Sequence, residues 1–208
     1  MLQKLYDKYV CPHLINYAMQ MKPFRKQRKK VIPSASGRVL EIGIGSGLNF
    51  NYYNKENVSE VFAVEPDSIL LEKAQQNAKI NNINLNVQQL KAEELPFDNN
   101  SFDTIISTYT MCSIPGLSSA MSEINRVMKP NGKLLFSEHG KSPDMNVFKW
   151  QKRMNGIQKR IAGGCHLDVD IPNEIIKANF KLNKIDSMYV PGPKFLSYHY
   201  WGVASPLK

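Results

Sequence analysis

One stretch limits the possible folds more than any other: an apolar run that ends in three glycines, each separated by one residue. Arg38-Val39-Leu40-Glu41-Ile42 reads as a short buried strand, entered after Pro33 and Gly37. It runs into Gly43-Ile44-Gly45-Ser46-Gly47, and a polar helix is expected to start near Leu48. Glycines let a backbone turn tightly and approach a ligand closely. A helix N-terminus behind them would offer free N–H groups, an arrangement that serves nucleotides generally. A dinucleotide loop places its third glycine at the sixth position of G-x-G-x-x-G, where this chain has Leu48.

The chain downstream alternates strands and helices. Val61–Val64 is a second buried strand, Ser68–Ile80 a helix and Leu85–Leu90 a third strand. Asp103–Ser107 is a fourth strand, Leu117–Met128 a helix stopped by Pro130 and Gly132, and Lys133–Ser137 a fifth strand. This order predicts an α/β fold, a parallel sheet with helices on both faces. Residues 139–180 read as a basic helical insert that ends in a short helix over Ile171–Ala178. Two closing β-rich stretches, Lys181–Val190 and Phe195–Val203, have no full helix between them and predict an antiparallel edge hairpin. Residues 1–34 read as helical, with Pro12 ending a first helix and a second running from Leu14 into the basic stretch. At 208 residues this is one domain of about seven strands, with segments 1–34, 38–138, 139–180 and 181–208.

Charge and cysteines narrow the setting. Of the net charge of +9, six cations lie between Lys22 and Lys30 with no acid among them. Such a patch suits an ordinary solvated helix face or peripheral contact with an anionic membrane. Aromatic residues do not interleave with it as nucleic-acid readout would require, so nucleic acid is not expected as a partner. Cys11, Cys112 and Cys165 are too few and too scattered for a disulfide framework, which points to the cytoplasm. Cys11–His13 and Cys165–His166 are isolated pairs without zinc-like spacing, so no metal is expected.

Four ordered motifs now carry a resemblance. Glu41-x-Gly43-x-Gly45-x-Gly47 resembles the first motif of class I S-adenosyl-L-methionine-dependent methyltransferases. Glu65, in Val64-Glu65-Pro66 at the end of the second strand, is placed to accept both hydroxyls of a ribose. Ala92–Asp103 and Glu123–Leu135 resemble the corresponding segments of the broad family that includes the ubiquinone and menaquinone methylases. The resemblance covers about 38–138 and implies a Rossmann-like, doubly wound sheet that binds S-adenosyl-L-methionine and releases S-adenosyl-L-homocysteine. It implies cofactor contacts at Glu41, Gly43, Gly45, Gly47, Glu65, Pro66, Ala92, Glu93 and Thr108. The family's usual acid before Ala92 is here Lys91.

A further set runs along nearly the whole chain: Tyr6-Asp7, Cys11–Ile15, Met111–Ile114, Ser137-Glu138-His139, Trp150-Gln151 and Gly164–Leu167. It resembles the subfamily of the animal alkyl-thiol methyltransferases, although their hydrophobic N-terminal anchor has no counterpart here and Val169 replaces a usual arginine. This implies methyl transfer to a small apolar acceptor, a thiol first, with a phospholipid or quinone precursor as the rival. Tyr109, Cys112 and His139 follow strands four and five and are the catalytic candidates. His139 is placed to deprotonate a thiol or phenol, since imidazole titrates near ~6.5. His166 is a further candidate from the insert. Outside this class, an NAD(P)-dependent oxidoreductase shares the loop and Glu65, and a non-catalytic lipid- or RNA-binding module would use 22–30.

Overall fold

A computed structural model describes residues 2–208. The sheet has seven strands in the order β3-β2-β1-β4-β5-β7-β6. The strands are β1 Gly37–Ile42, β2 Val58–Val64, β3 Leu85–Gln88, β4 Phe102–Thr108, β5 Met128–His139, β6 Phe180–Tyr189 and β7 Tyr198–Pro206. Strands β1 to β5 pair in parallel, and β7 returns antiparallel between β5 and β6. The doubly wound sheet and its edge hairpin are therefore as the alternation of the sequence implied. Chain order reverses between β1 and β4, and ligands bind beyond the carboxyl ends of strands at such a point.

Alternation along each strand builds two apolar layers. Leu40, Ile42, Phe62, Val64 and Phe102 face one way, against α5 (Leu117–Val127) and α7 (Ile171–Lys177). Val39, Val61, Ala63, Ile106 and Leu135 face the other way, against α4 (Ser68–Ile80) and Val31 at the end of α3 (Lys22–Val31). Asp67 caps α4 by accepting from the N–H groups of Ile69 and Leu70, each at 2.9 Å.

The N-terminal segment forms three helices where two were expected: α1 Leu2–Tyr9, α2 Cys11–Met19 and α3. Pro12 and Pro23 lie in the first turns of α2 and α3. Proline is tolerated there because its missing N–H would have no intrahelical partner, so each starts a helix and does not end one. The helix expected near Leu48 is also absent. Turns and a single 3-10 turn at Phe50–Tyr52 lead to extended backbone at Tyr53. The segment Asn49-Phe50-Asn51-Tyr52-Tyr53-Asn54 is poor in helix formers, and Phe50 and Tyr53 gain more by burying their rings in the second layer. β5 begins earlier than expected, at Met128, but regular pairing with β4 resumes only at Lys133, past Pro130-Asn131-Gly132.

The insert contributes α6 (Met145–Ile161), whose C-terminal end meets α1. Gln3 Nε2 donates to the Arg160 carbonyl at 2.8 Å and the Tyr6 hydroxyl to the Ile161 carbonyl at 2.7 Å.

Two glycines report on packing in opposite senses. A Cβ at Gly202, in β7, would lie 2.1 Å from the Lys184 carbonyl oxygen, whereas one at Gly156, inside α6, meets nothing within 4 Å. Gly202→Ala is expected to lower stability by about 1–3 kcal/mol through overpacking. Gly156→Ala should raise it by roughly 0.5–1 kcal/mol through helix propensity. Urea midpoints at unchanged slope check both, and a stable Gly202→Ala protein would contradict the tight β6–β7 register.

Candidate active site

The C-terminal ends of β1, β2 and β4 open into a cavity of about 400 Å³. Its size is ordinary for a small-molecule site. The first two helices roof it through Asp7, Cys11, Pro12, Ile15, Asn16 and Met19. The large apolar side chains of α1 and α6 take little part in that roof. Leu5 and Tyr9 are exposed, Trp150 points outward beside Arg153, and Phe148 lines a separate, shallower cavity. From the insert, Gly163 alone reaches the main cavity wall.

The three glycines divide their work. All have left-handed backbones, with φ of 62°, 59° and 77° for Gly43, Gly45 and Gly47. A Cβ at Gly43 would meet the Thr110 side chain at 2.4 Å, and one at Gly47 the Phe50 ring at 2.2 Å. Those two are glycine because the protein itself crowds them. At Gly45 a Cβ would meet nothing within 4 Å, so its bare face belongs to the cavity. Gly43 lines the wall as well, while Gly47 does not reach it.

Glu65 is 5% exposed and lines the cavity. It accepts from the Gly45 N–H at 2.8 Å and the Asp67 N–H at 3.0 Å, so one carboxylate joins the glycine loop to the end of β2. Burial raises its pKa while these two bonds oppose the rise. Pro66, Ala92, Glu93 and Thr108 also line the wall. The Glu93 carboxylate is engaged by the Gly116 N–H at 3.2 Å.

Glu41 does not reach the cavity. It lies under the loop, 2% exposed, and accepts from the Tyr53 hydroxyl and from Asn49 Nδ2 at 2.9 Å. The missing helix explains this: the chain turns back early enough for Tyr53 and Asn49 to enclose the carboxylate. Burial raises the Glu41 pKa to about 7.

Of the catalytic candidates, only Tyr109 lines the cavity. Its φ is 59°, a strained value for a bulky side chain. Its hydroxyl lies 3.1 Å from His199 Nδ1, and burial pushes the phenol pKa well up. His199 is itself 1% exposed, and burial lowers its pKa to about 3, so its ring is neutral. His139 is absent from the wall, and its Nε2 lies 3.0 Å from Cys165 Sγ. Cys112 and His166 border the shallower cavity. Cys112, His139 and Cys165 come together, with their ligand atoms within 4.8 Å of one another. Cys11 and His13 do not join them.

Two wall residues escaped the sequence reading. Arg28, within the basic run, is turned inward and 4% exposed. It donates from Nη1 to the Met19 carbonyl at 2.8 Å and stacks over Tyr109, while its buried Nε has no partner among the described residues. Asn49 reaches the wall with a buried Oδ1 that is likewise unpartnered. The spacing of Phe24, Gln27, Arg28 and Val31 on α3 could have revealed Arg28, because it is the inward stripe of a helix.

Residues 40–136 match the family model described as a methyltransferase domain. The match runs from β1 into β5, just under half of the chain. The rat thiol S-methyltransferase TMT1B is 30% identical over 147 residues, covering 68% of this chain and 59% of the relative. The UbiE ubiquinone/menaquinone C-methyltransferase of Rickettsia prowazekii is 33% identical over 119 residues, covering 53% and 47%. The chain thus spans about half to three fifths of these relatives' length. The crystal structure of YcgJ from Bacillus subtilis shares the fold, with a TM-score of 0.66 at 17% identity over 94% of this chain and 99% of that one.

The buried Glu41 gives a pH test. Its pKa is about 7 in the fold against an ordinary 4.5, so the folded state holds the proton more tightly. That contribution is complete below the unfolded value and is lost as pH rises through the folded one. Relative to wild type, Glu41→Gln should gain stability between these values, by on the order of 1–3 kcal/mol. Urea unfolding across that range checks it, and a constant difference would mean Glu41 is not strained by burial.

Proposed function

We propose that this protein transfers a methyl group from S-adenosyl-L-methionine to a small apolar acceptor, a thiol in the first instance. One observation carries the reading: an open Gly45 backbone beside a buried Glu65 carboxylate, at the point where strand order reverses. When bound, S-adenosyl-L-methionine supplies an electrophilic methyl on a sulfonium. The residues present suit it. Gly45 admits close approach, and Glu65 keeps acceptor capacity for a vicinal diol beyond its two backbone donors. The unpartnered Nε of Arg28 suits a carboxylate such as that of a methionine moiety. Pro66, Ala92 and Ile114 offer small apolar walls for an adenine.

The protein's task is then to align the acceptor and exclude water, with reacting atoms about 3–3.5 Å apart. No strong base faces the cavity from the predicted set. His139 lies off the wall, and the Tyr109 phenol is held protonated by burial. The acceptor thiol therefore enters as its own thiolate. The name of the rat relative supports a thiol, and that of the Rickettsia relative keeps a quinone precursor as the rival.

Apolar acceptors would arrive along the outer face of the roof, where Leu14, Tyr17 and Met21 are exposed beside Lys22, Arg25, Lys26 and Lys29. No helix of the described residues is long and apolar enough to cross a membrane. With Arg28 turned inward and Lys30 set over the Trp201 ring, this patch offers two cations fewer to an anionic lipid surface than the sequence suggests.

Two experiments test the reading. S-adenosylhomocysteine should bind in calorimetry, and Glu65→Ala should weaken it about 10- to 100-fold, as loss of a charge-assisted bond worth ~1.5–3 kcal/mol implies. No heat with the wild-type protein would reject the cofactor. Labelled methyl transfer should reach alkyl thiols, but not phosphatidylethanolamine, quinone precursors or RNA. Its kcat/KM should rise with pH along each thiol's own ionisation. A profile that stays fixed while the thiol pKa changes would require a base on the protein.

A further inference from the structure

Three side chains far apart in sequence meet behind the cavity. Cys112 lies in a 3-10 turn just past β4, His139 is the last residue of β5, and Cys165 lies in the connection after α6. Their sulfur and nitrogen atoms lie within 4.8 Å of one another, and both cysteines are buried, at 3% and 7% exposure. The backbone beneath them is held by bonds of its own. The His166 N–H donates to the Cys112 carbonyl at 2.8 Å, and Glu138 anchors the turn that carries Cys112. The grouping is therefore preorganised.

Hydrogen bonding serves this cluster poorly. One imidazole stands among two thiols, with His139 Nε2 3.0 Å from Cys165 Sγ. The other partners are weak ones: Ser113 Oγ at 3.6 Å from Cys112 Sγ, and Gln158 Nε2 at 3.7 Å from Cys165 Sγ. Two thiolates and an imidazole are instead the donor set of a borderline-soft divalent cation, and no carboxylate is present to favour calcium or magnesium. A tetrahedral ion with Zn–S near 2.3 Å and Zn–N near 2.0–2.1 Å needs its ligand atoms roughly 3.5–3.8 Å apart. From within 4.8 Å, with His139 Nε2 and Cys165 Sγ at 3.0 Å, the cluster reaches that spacing by side-chain adjustments of about 1 Å or less.

We propose that Cys112, His139 and Cys165 form a zinc site. Binding converts Zn²⁺, two thiols and a neutral imidazole into a bis-thiolate complex and releases two protons to solvent, with no change of oxidation state. Three protein ligands leave a fourth position for an exogenous donor. The ion would tie the ends of β4 and β5 to the connection after α6. Ser113 and Gly163, close neighbours of two of the ligands, line the cofactor cavity, so the ion would brace that wall.

The test is independent of methyl transfer. The reduced, metal-free full chain is titrated with zinc against a chromophoric competitor, and with cobalt. One zinc per chain is expected, together with the thiolate-to-cobalt charge-transfer band and the strong visible bands of a tetrahedral site. Cys112→Ser and Cys165→Ser should abolish those bands, whereas Cys11→Ser, which alters the cysteine outside the cluster, should keep them. Zinc should raise the unfolding temperature of wild type and not of Cys112→Ser. Failure of the reduced wild-type protein to take up either metal would overturn the proposal even if both variants misfold. So would air oxidation to a Cys112–Cys165 disulfide in a protein without metal affinity. S-adenosylhomocysteine calorimetry on the same sample reads the cofactor site separately.

Discussion

The site depends first on a carboxylate that touches no ligand. Glu138 is fully buried near the end of β5 and faces the turn that follows β4. Its oxygens accept from the Ser107 hydroxyl at 2.8 Å, the Thr110 N–H at 3.0 Å and the Met111 N–H at 3.3 Å. Burial raises its pKa to about 7, and these donors oppose that rise. The turn it holds is not regular structure, and its N–H groups would otherwise be orphaned inside the protein. From this one turn come Tyr109 in the cavity wall, Thr110 under Gly43 and Cys112 in the thiol cluster. The cavity and the cluster therefore share a single anchor.

A second carboxylate acts alike on the opposite side. Glu65 joins the glycine loop to the start of α4 through the Gly45 and Asp67 N–H groups. The loop is thereby set before any ligand arrives, and less ordering is left to binding. Glu41 holds the underside through Asn49 and Tyr53. Three acids, each at or near a strand end, replace the regular hydrogen-bonding ladder where the sheet gives way to loops.

The sheet, its order of elements and its edge hairpin were legible in the sequence because they follow from local periodicity and short connections. The helix wrongly expected after Gly47 shows the limit. A glycine loop usually leads into a helix, but Phe50 and Tyr53 had apolar ground to fill, and tertiary burial overrode that pattern. In the site, Gly45 and Glu65 were legible because a motif fixed them relative to a strand. Glu41 and Gly47 belong to the same motif yet serve the scaffold, because the Glu41 carboxylate turns toward Asn49 and Tyr53 and the Phe50 ring packs against Gly47, and no spacing encodes either. Arg28 hid among cations, although its stripe on α3 was readable. The meeting of Cys112, His139 and Cys165 was not, since it depends on how α6 and its following loop return to the sheet.

The clasp between α1 and α6 has one more consequence. The carbonyls of Arg160 and Ile161 are among the last four of α6, which no residue of the helix can satisfy. Gln3 and Tyr6 satisfy them from the other end of the chain. The roof is thus the C-cap of another helix. Lifting it to admit or release a molecule uncaps α6, and the last turn of that helix is free to fray toward Gly163 at the cavity wall. Any displacement of the roof would therefore cost the end of α6 its two partners as well.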